Sequence, residues 1–406
     1  MNVLFLSTII PYPPVDGHSH RTYYLLKHLA ENHRIHLIGF VKKPDDWDSA
    51  QALSKFCASV HPFLLPEDFS RISLGLSLTQ SLFSSDPFVV RKYLHPPAQA
   101  AMERILRTEP IHLIHCDMPN LIAYVRGDSS PPTIAVHHDL EWLLMYRRAK
   151  AEPNFLKRWY FFQQAKKWRQ FLPKMERKTR LHVVVSEVDR KRLEEASFFH
   201  RPARVVPNGV DIEYFQPQPS IPTEKMVVLL GGMHLFQNAD GAEYFLESVW
   251  PKIKALDSGI ACLIVGQKPS SRRLKTLAAR AGGVRMLGFI SDVRPLLARA
   301  GLMVVPIRIG SGTRLKILSA MAMGKAVVST SIGCEGIEAR AGEELLVADT
   351  ADDMARQVVE VLQNQTLRLR LGENARRLVE ERYSWAKIAR IMEDIYREAV
   401  EDFYAS

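Results

Sequence analysis

The chain has 406 residues, 47% of them hydrophobic and 24% charged, which excludes a disordered or fibrous protein and exceeds what one hydrophobic core usually spans. Its four cysteines (Cys57, Cys116, Cys262 and Cys334) form no CxxC pair, so they read as small buried side chains, not as a zinc or disulfide framework. No apolar run approaches the roughly 18 residues that a membrane helix needs, and a net charge of +10 asks for an anionic partner.

The first residues, Met1-Asn2-Val3-Leu4-Phe5-Leu6-Ser7, lack a basic leader segment and read as a buried strand, so the cytoplasm is the expected location. A helical pattern follows Gly17, with Leu25, Leu26 and Leu29 on one side. Ile35–Val41 reads as the next strand, and short apolar runs recur at Ile111–His115, Thr133–His137 and His182–Ser186. Between them, Ser54–Pro97 has weaker periodicity and several Pro and Ser breaks, and reads as an insertion outside the sheet. The second half repeats the scheme at Met226–Leu230, Ala261–Val265, Leu302–Pro306 and Ala326–Ser329. Short apolar runs separated by helical stretches mean βαβ units, and two such series predict an α/β protein of two Rossmann-like, doubly wound domains.

The proline-rich stretch Gln216–Pro222 supports neither helix nor inner strand. It sets the expected boundary, giving domains 1–218 and 219–382, and a helix over 383–406 capped by Ser384 that crosses back to the first domain.

The charge is concentrated. Residues 147–180 hold twelve Lys and Arg against Glu152 and Glu176, an excess equal to the net charge of the whole chain, with seven aromatics interleaved. Such a segment suits the inner face of an anionic membrane, held peripherally. It also suits a solvated helix face with its aromatics packed inward. No nucleic-acid-binding motif accompanies it, so nucleic acid is not expected as a partner.

The most informative stretch runs from the strand Leu302–Pro306 through Ile307-Arg308-Ile309-Gly310-Ser311-Gly312 to a helix expected near Thr313. Glycines let the backbone approach a ligand, and the free amides of a helix start favour phosphate. Arg314 and Lys316 add charge for a diphosphate.

At this point the sequence resembles glycosyltransferase family 4, retaining enzymes of the GT-B fold, and within it the bacterial exopolysaccharide branch. The resemblance runs over nearly the whole chain. It is carried by Pro13–Gly17 with Arg21, by His138-Asp139-Leu140-Glu141, by Val183–Glu187 and by Val206–Asp211. In the second half Gly231-Gly232-Met233, Val265-Gly266, Leu287-Gly288-Phe289 and Gly312-Thr313-Arg314-Leu315-Lys316 continue it. The resemblance implies two domains facing each other across a cleft. It also implies a nucleotide-sugar donor, a saccharide or lipid-linked saccharide acceptor, cytoplasmic work on cell-surface polysaccharide, and no metal or cofactor.

Residue by residue, it implies that Gly310, Ser311, Gly312, Thr313, Arg314, Lys316, Ser319, Gly232 and Met233 bind the donor. Asp16, Gly17 and Arg21 form the acceptor and phosphate loop, and His138 touches the donor sugar, with Glu141 and Arg147 ordering its loop. The transfer retains configuration, and the leaving phosphate oxygen takes the acceptor proton. His18 and His20 form a His-x-His pair, but no acidic or cysteine partner stands at a suitable spacing.

Two features depart from the family pattern. Its paired glutamates, eight positions apart, correspond to Ser311 and Ser319. The second normally holds the ribose hydroxyls, where charged hydrogen bonds contribute roughly 1.5–3 kcal/mol. The loop Gly232–Asn238 also lacks the usual Arg and Lys, leaving Arg314 and Lys316 to supply that charge. These departures admit a non-catalytic subunit of the same fold as an alternative, alongside a nucleotide-sugar epimerase.

Overall fold

The computed structural model describes residues 1–405 except 43–46, 128–130, 268–270 and 311. The chain folds into two compact units, residues 1–207 with 385–406 and residues 208–384.

In the first unit β1 (Asn2–Leu6), β2 (Arg34–Val41), β3 (Ser59–Leu64), β4 (Leu113–Cys116), β5 (Thr133–His137), β6 (Leu181–Val184) and β7 (Ala203–Val205) form one parallel sheet. The spatial order is β3-β2-β1-β4-β5-β6-β7. The chain therefore starts in the middle, winds outward, returns, and winds the other way. The central strands are covered on both faces, which is why Val3, Leu4 and Phe5 are fully buried and read as a continuous apolar run.

The expected insertion is corrected at one point: Ser59–Leu64 belongs to the sheet. It pairs along its length with β2, Leu37 opposite Val60 and Phe40 opposite Phe63. It is an edge strand, the place in a sheet where a residue such as Pro62 is tolerated, and its half-buried residues show no alternation to read.

The C-terminal helix, Trp385–Ala405, joins this first unit, as the sequence suggested. Its buried stripe of Ile388, Met392, Ile395, Tyr396 and Ala399 has helical spacing. Trp385 stacks on Tyr24, with ring centroids 5.8 Å apart, and the Tyr396 hydroxyl pairs with His115 Nδ1 at 2.7 Å.

The second unit carries β8 (Met226–Leu230), β9 (Ala261–Val265), β10 (Val284–Gly288), β11 (Leu302–Val305), β12 (Ala326–Ser329) and β13 (Leu346–Val347). They form a parallel sheet in the order β10-β9-β8-β11-β12-β13. The proline run at 216–222 lies inside this unit, because the residues before it are already tied there. Val210 N–H donates to the Tyr383 carbonyl at 2.7 Å, and the Arg376 guanidinium holds the carbonyls of Ile212, Phe215 and Ala322.

The two units thus repeat one winding scheme. In each, strand order reverses between the first strand and the fourth, and a crevice opens there beyond the carboxyl ends of the strands. That crevice is where the sequence-derived site residues collect.

Candidate active site

In the first unit the crevice lies between β1 and β4. The loop after β1 ends at Asp16, which caps helix Gly17–Leu29. Ser19 N–H donates to Asp16 Oδ1 at 2.8 Å, and Asp16 N–H donates to Ser19 Oγ at 2.9 Å. Gly17 opens the helix and is not among the glycines with positive φ, so the turn geometry does not by itself demand a glycine there. Arg21, expected in the phosphate loop, is buried instead. Its guanidinium donates to the carbonyls of Pro207 at 2.8 Å and Val206 at 3.0 Å, and burial lowers its pKa to about 10.

The centre of this crevice is Asp117, the first residue after β4. His138 Nε2 donates to its Oδ1 at 3.1 Å, and His18 Nε2 donates to its Oδ2 at 3.3 Å. Thr22 and Ser7 hydroxyls donate to Oδ2 at 2.7 and 3.3 Å. The three chain segments that follow β1, β4 and β5 therefore meet on one fully buried carboxylate. His115 Nε2 stands 3.7 Å from Oδ1, too far for a hydrogen bond.

Burial alone would raise the Asp117 carboxyl, yet the neighbouring His138 and the imidazole hydrogen bonds hold it well below the usual range. Burial likewise depresses His138, to about 4 against the pull of Asp117. At neutral pH the pair is a carboxylate and a neutral imidazole. Because His138 Nε2 carries the proton that faces Asp117, its Nδ1 is left as an acceptor.

His18 thus has the acidic partner that no local spacing offered, 99 residues away along the chain. One ligand atom each from His18, Asp117 and His138 lies within 4.8 Å of the other two, so the trio could hold a divalent transition metal. Hydrogen bonds already satisfy the carboxylate without one.

Behind them, His137 Nε2 meets His182 Nδ1 at 2.9 Å, and Glu141 Oε2 lies 3.4 Å from His137 Nδ1. All three are buried. Glu141 therefore meets the last residue of β5, next to His138. Asp117 is the residue that sequence reasoning missed. Its only signal is position, a polar residue directly after the apolar run Leu113–Cys116.

In the second unit the crevice lies between β8 and β11, flanked by Gly231–Leu235 and by Pro306–Arg314. Gly266, at the end of β9, has φ +142°, and a Cβ there would run into the Gly231 carbonyl, so the loops pack at backbone contact. The helix starts at Leu315, two residues later than expected, with Arg314 as its N-cap residue. Arg314 Nη1 donates to the Gly312 carbonyl at 2.7 Å, and a side chain at Gly310 would collide with the same guanidinium. Gly312 adopts φ +73°. Ser311 lies outside the described residues.

Lys316 joins the two sides of the crevice. Its Nζ donates to the Leu230 carbonyl and to Asn238 Oδ1, both at 2.7 Å. Burial, helped by Arg314, lowers its pKa to about 7. Met233, Asn238, Pro306, Ile307 and Lys316 line a small pocket there. Thr313 is buried, and its carbonyl accepts from Asn208 Nδ2 at 3.4 Å. Ser319 Oγ donates back to the Leu315 carbonyl at 3.2 Å, so its hydroxyl is engaged within its own helix. A larger surface hollow near Glu338, Arg340 and Arg382 lies away from the strand ends. Its charges pair with one another, Arg382 with Glu338 and Arg340 with Glu343 and Glu344.

Comparison with known proteins fits this geometry unit by unit. The family model described as Glycosyltransferase Family 4 matches residues 15–214, and the model described as Glycosyl transferases group 1 matches residues 224–364. The chain belongs to the GT-B glycosyltransferases.

Among solved structures, sucrose-phosphate synthase from Thermosynechococcus elongatus shares the fold of this GT-B chain, with a TM-score of 0.75 and 18% identity over the whole of both chains. HepE from Anabaena, in complex with UDP and glucose, superposes with a TM-score of 0.68 and 14% identity over 97% of this chain and 98% of its own. A Klebsiella pneumoniae protein described as an uncharacterized 44.6 kDa protein in a cps region is 27% identical over 168 residues. That match covers 40% of this chain and 43% of the relative, less than half of each.

Proposed function

We propose that the protein transfers a sugar from a nucleotide-diphosphate sugar to a hydroxyl of a saccharide or lipid-linked saccharide, with retention, in the synthesis of cell-surface polysaccharide. The observation that carries this reading is the crevice of the second unit. Glycine-bounded backbone, the start of helix Leu315–Ala322, Arg314 and the half-buried Lys316 converge there, a combination suited to a diphosphate. Arg314 and Lys316 supply the cations that the Gly232–Asn238 loop lacks. The UDP held by HepE and the cps-region relative support the donor class and the setting.

In this reading the acceptor oxygen forms its bond to the anomeric carbon as the bond from that carbon to the phosphate oxygen breaks. The departing phosphate oxygen takes the acceptor proton, so no separate base is needed. Loop amides of Gly310, Gly312 and Thr313, with Arg314 and Lys316, stabilise the charge that develops on the diphosphate. His138, neutral and oriented by Asp117, offers Nδ1 to a sugar hydroxyl, and the Asp16–Gly17 turn approaches the acceptor.

A thermal-stability panel of nucleoside diphosphates and their sugars tests the reading. A ligand at a hundred times its Kd adds about 2.7 kcal/mol. Stabilisation by one nucleotide family, lost in Arg314→Ala, is the expected result. Indifference to every nucleotide would contradict the reading.

A second reading, a non-catalytic subunit, is favoured by Ser319, whose hydroxyl is bonded to Leu315 in place of the expected glutamate. Turnover of any donor by the wild-type chain rules it out.

A further inference from the structure

We infer that the first unit carries a monotopic docking surface for an anionic lipid bilayer, built from the start of helix Phe155–Glu176 together with helix Arg71–Phe83.

The exposed side chains are the wrong kind for water. Phe155 is 73% exposed and Leu156 71%, with Trp159 and Phe162 also open. Residues 153–159 are exposed without exception, so this end of the helix presents its whole circumference. The charged residues within that run, Lys157 and Arg158, are both basic.

Helix Arg71–Phe83 adds a second apolar element. Ile72, Leu76 and Leu82 are exposed and Phe83 is 89% exposed, with no acidic residue anywhere along the helix. The two helices are joined. The Lys167 ammonium donates to the Ser81 carbonyl, and Phe88 N–H donates to Gln164 Oε1 at 2.9 Å. The open side chains of both helices therefore belong to one region of the first unit, and the helix Phe155–Glu176 lies in the stretch 147–180 whose charge excess equals that of the whole chain. The charge partition of residues 147–180 supports this. Lys167 is buried against Ser81, whereas Lys157, Arg158, Lys166 and Arg169 stay exposed around the aromatics.

Soluble proteins seldom expose apolar patches this dense unless something covers them. The flanking charge decides what that is. Around Phe155, Leu156, Trp159 and Phe162 the exposed charges are Lys157, Arg158, Lys166 and Arg169, which suits insertion to the headgroup level with cations against lipid phosphates. Glu67, just before the second helix, is bonded to Ser77. Among the described residues no helix is long and apolar enough to cross a membrane, so the contact is made from one side. A second copy of this chain would place the same basic charges against themselves, which works against a dimer through this surface. The inference does not depend on the donor or the acceptor.

Flotation with vesicles tests it on the full chain. Binding is expected to vesicles of phosphatidylglycerol mixed with phosphatidylcholine and to be at least tenfold weaker to phosphatidylcholine alone. It should fall at least tenfold as salt rises from about 0.05 to about 0.5 M. The triple variant Phe155→Ser, Leu156→Ser, Trp159→Ser alters only exposed side chains and should keep its fold, checked by circular dichroism. It should lose binding on the order of a hundredfold, and Phe83→Ser should lose a smaller share. No binding to anionic vesicles overturns the inference, as does binding that survives the triple variant. A wild-type dimer in vesicle-free buffer that becomes monomeric in the triple variant would also overturn it, by showing that a second copy covers the surface.

Discussion

The two crevices share a strand order and differ in their charge. In the first unit a carboxylate sits fully buried at the switch point and collects two imidazoles and two hydroxyls. In the second, a half-buried lysine sits at the corresponding switch point and collects a carbonyl and an amide oxygen. The same winding therefore offers an open set of strand ends, and the residue placed there decides the ligand. In the proposed reading a diphosphate goes to the crevice with Lys316 and Arg314 and is repelled by the one with Asp117. In that reading the fold supplies the location, and one or two charges at the strand ends supply the assignment.

The largest effect that could break this contrast is removal of Asp117. Asp117→Asn keeps one acceptor oxygen but turns the other into an NH2 donor facing the same histidines and hydroxyls. At about 1.5–3 kcal/mol for each hydrogen bond to a charged group, the loss of two costs about 3–5 kcal/mol. Urea unfolding should show it, and a change below about 1 kcal/mol would mean that the carboxylate does not organise the site.

Acid titration comes next. The folded pKa of His138, about 4, lies below the ordinary 6.5, so between those values the unfolded chain binds the extra proton. Stability should therefore be intact above pH 6.5 and fall as pH drops toward 4, by about 3 kcal/mol from this residue. In His138→Asn that part of the pH dependence should flatten. An unchanged slope would show that His138 is not held neutral.

In the second crevice, Lys316→Met should weaken nucleoside diphosphate binding at least tenfold, about 1.4 kcal/mol, in a direct calorimetric titration. Equal affinity would remove Lys316 from the donor site. The smallest effect concerns the back of the first crevice. Tyr396→Phe removes the hydroxyl paired with His115 and should cost about 1 kcal/mol of stability, and no measurable change would mean the contact contributes little.

Much of this was legible because the central strands are buried on both faces. Thr133–His137, Met226–Leu230, Ala261–Val265 and Ala326–Ser329 read as continuous apolar runs and appear with those bounds or within one residue of them. Edge strands were hidden. Ser59–Leu64 contains Pro62, Val284–Gly288 alternates with exposed Arg285 and Leu287, and Leu346–Val347 has only two residues. The phosphate loop was visible because its chemistry is contiguous in sequence, from Gly310 to Lys316.

The first crevice is assembled from segments about 100 residues apart, and no local pattern announces that Asp117 will meet His18 and His138. Arg21 illustrates the converse. An arginine beside a glycine turn suggests phosphate, yet its guanidinium bonds the Val206 and Pro207 carbonyls from a buried position.

The central claim is that the diphosphate belongs to the second crevice and not to the first. Amide hydrogen exchange, with and without a saturating nucleoside diphosphate, addresses it most directly. The account predicts slowed exchange at residues 231–235 and 312–316, with residues 17–22, 117–118 and 137–139 unchanged. Slowing confined to the Asp117 and His138 segments would contradict it.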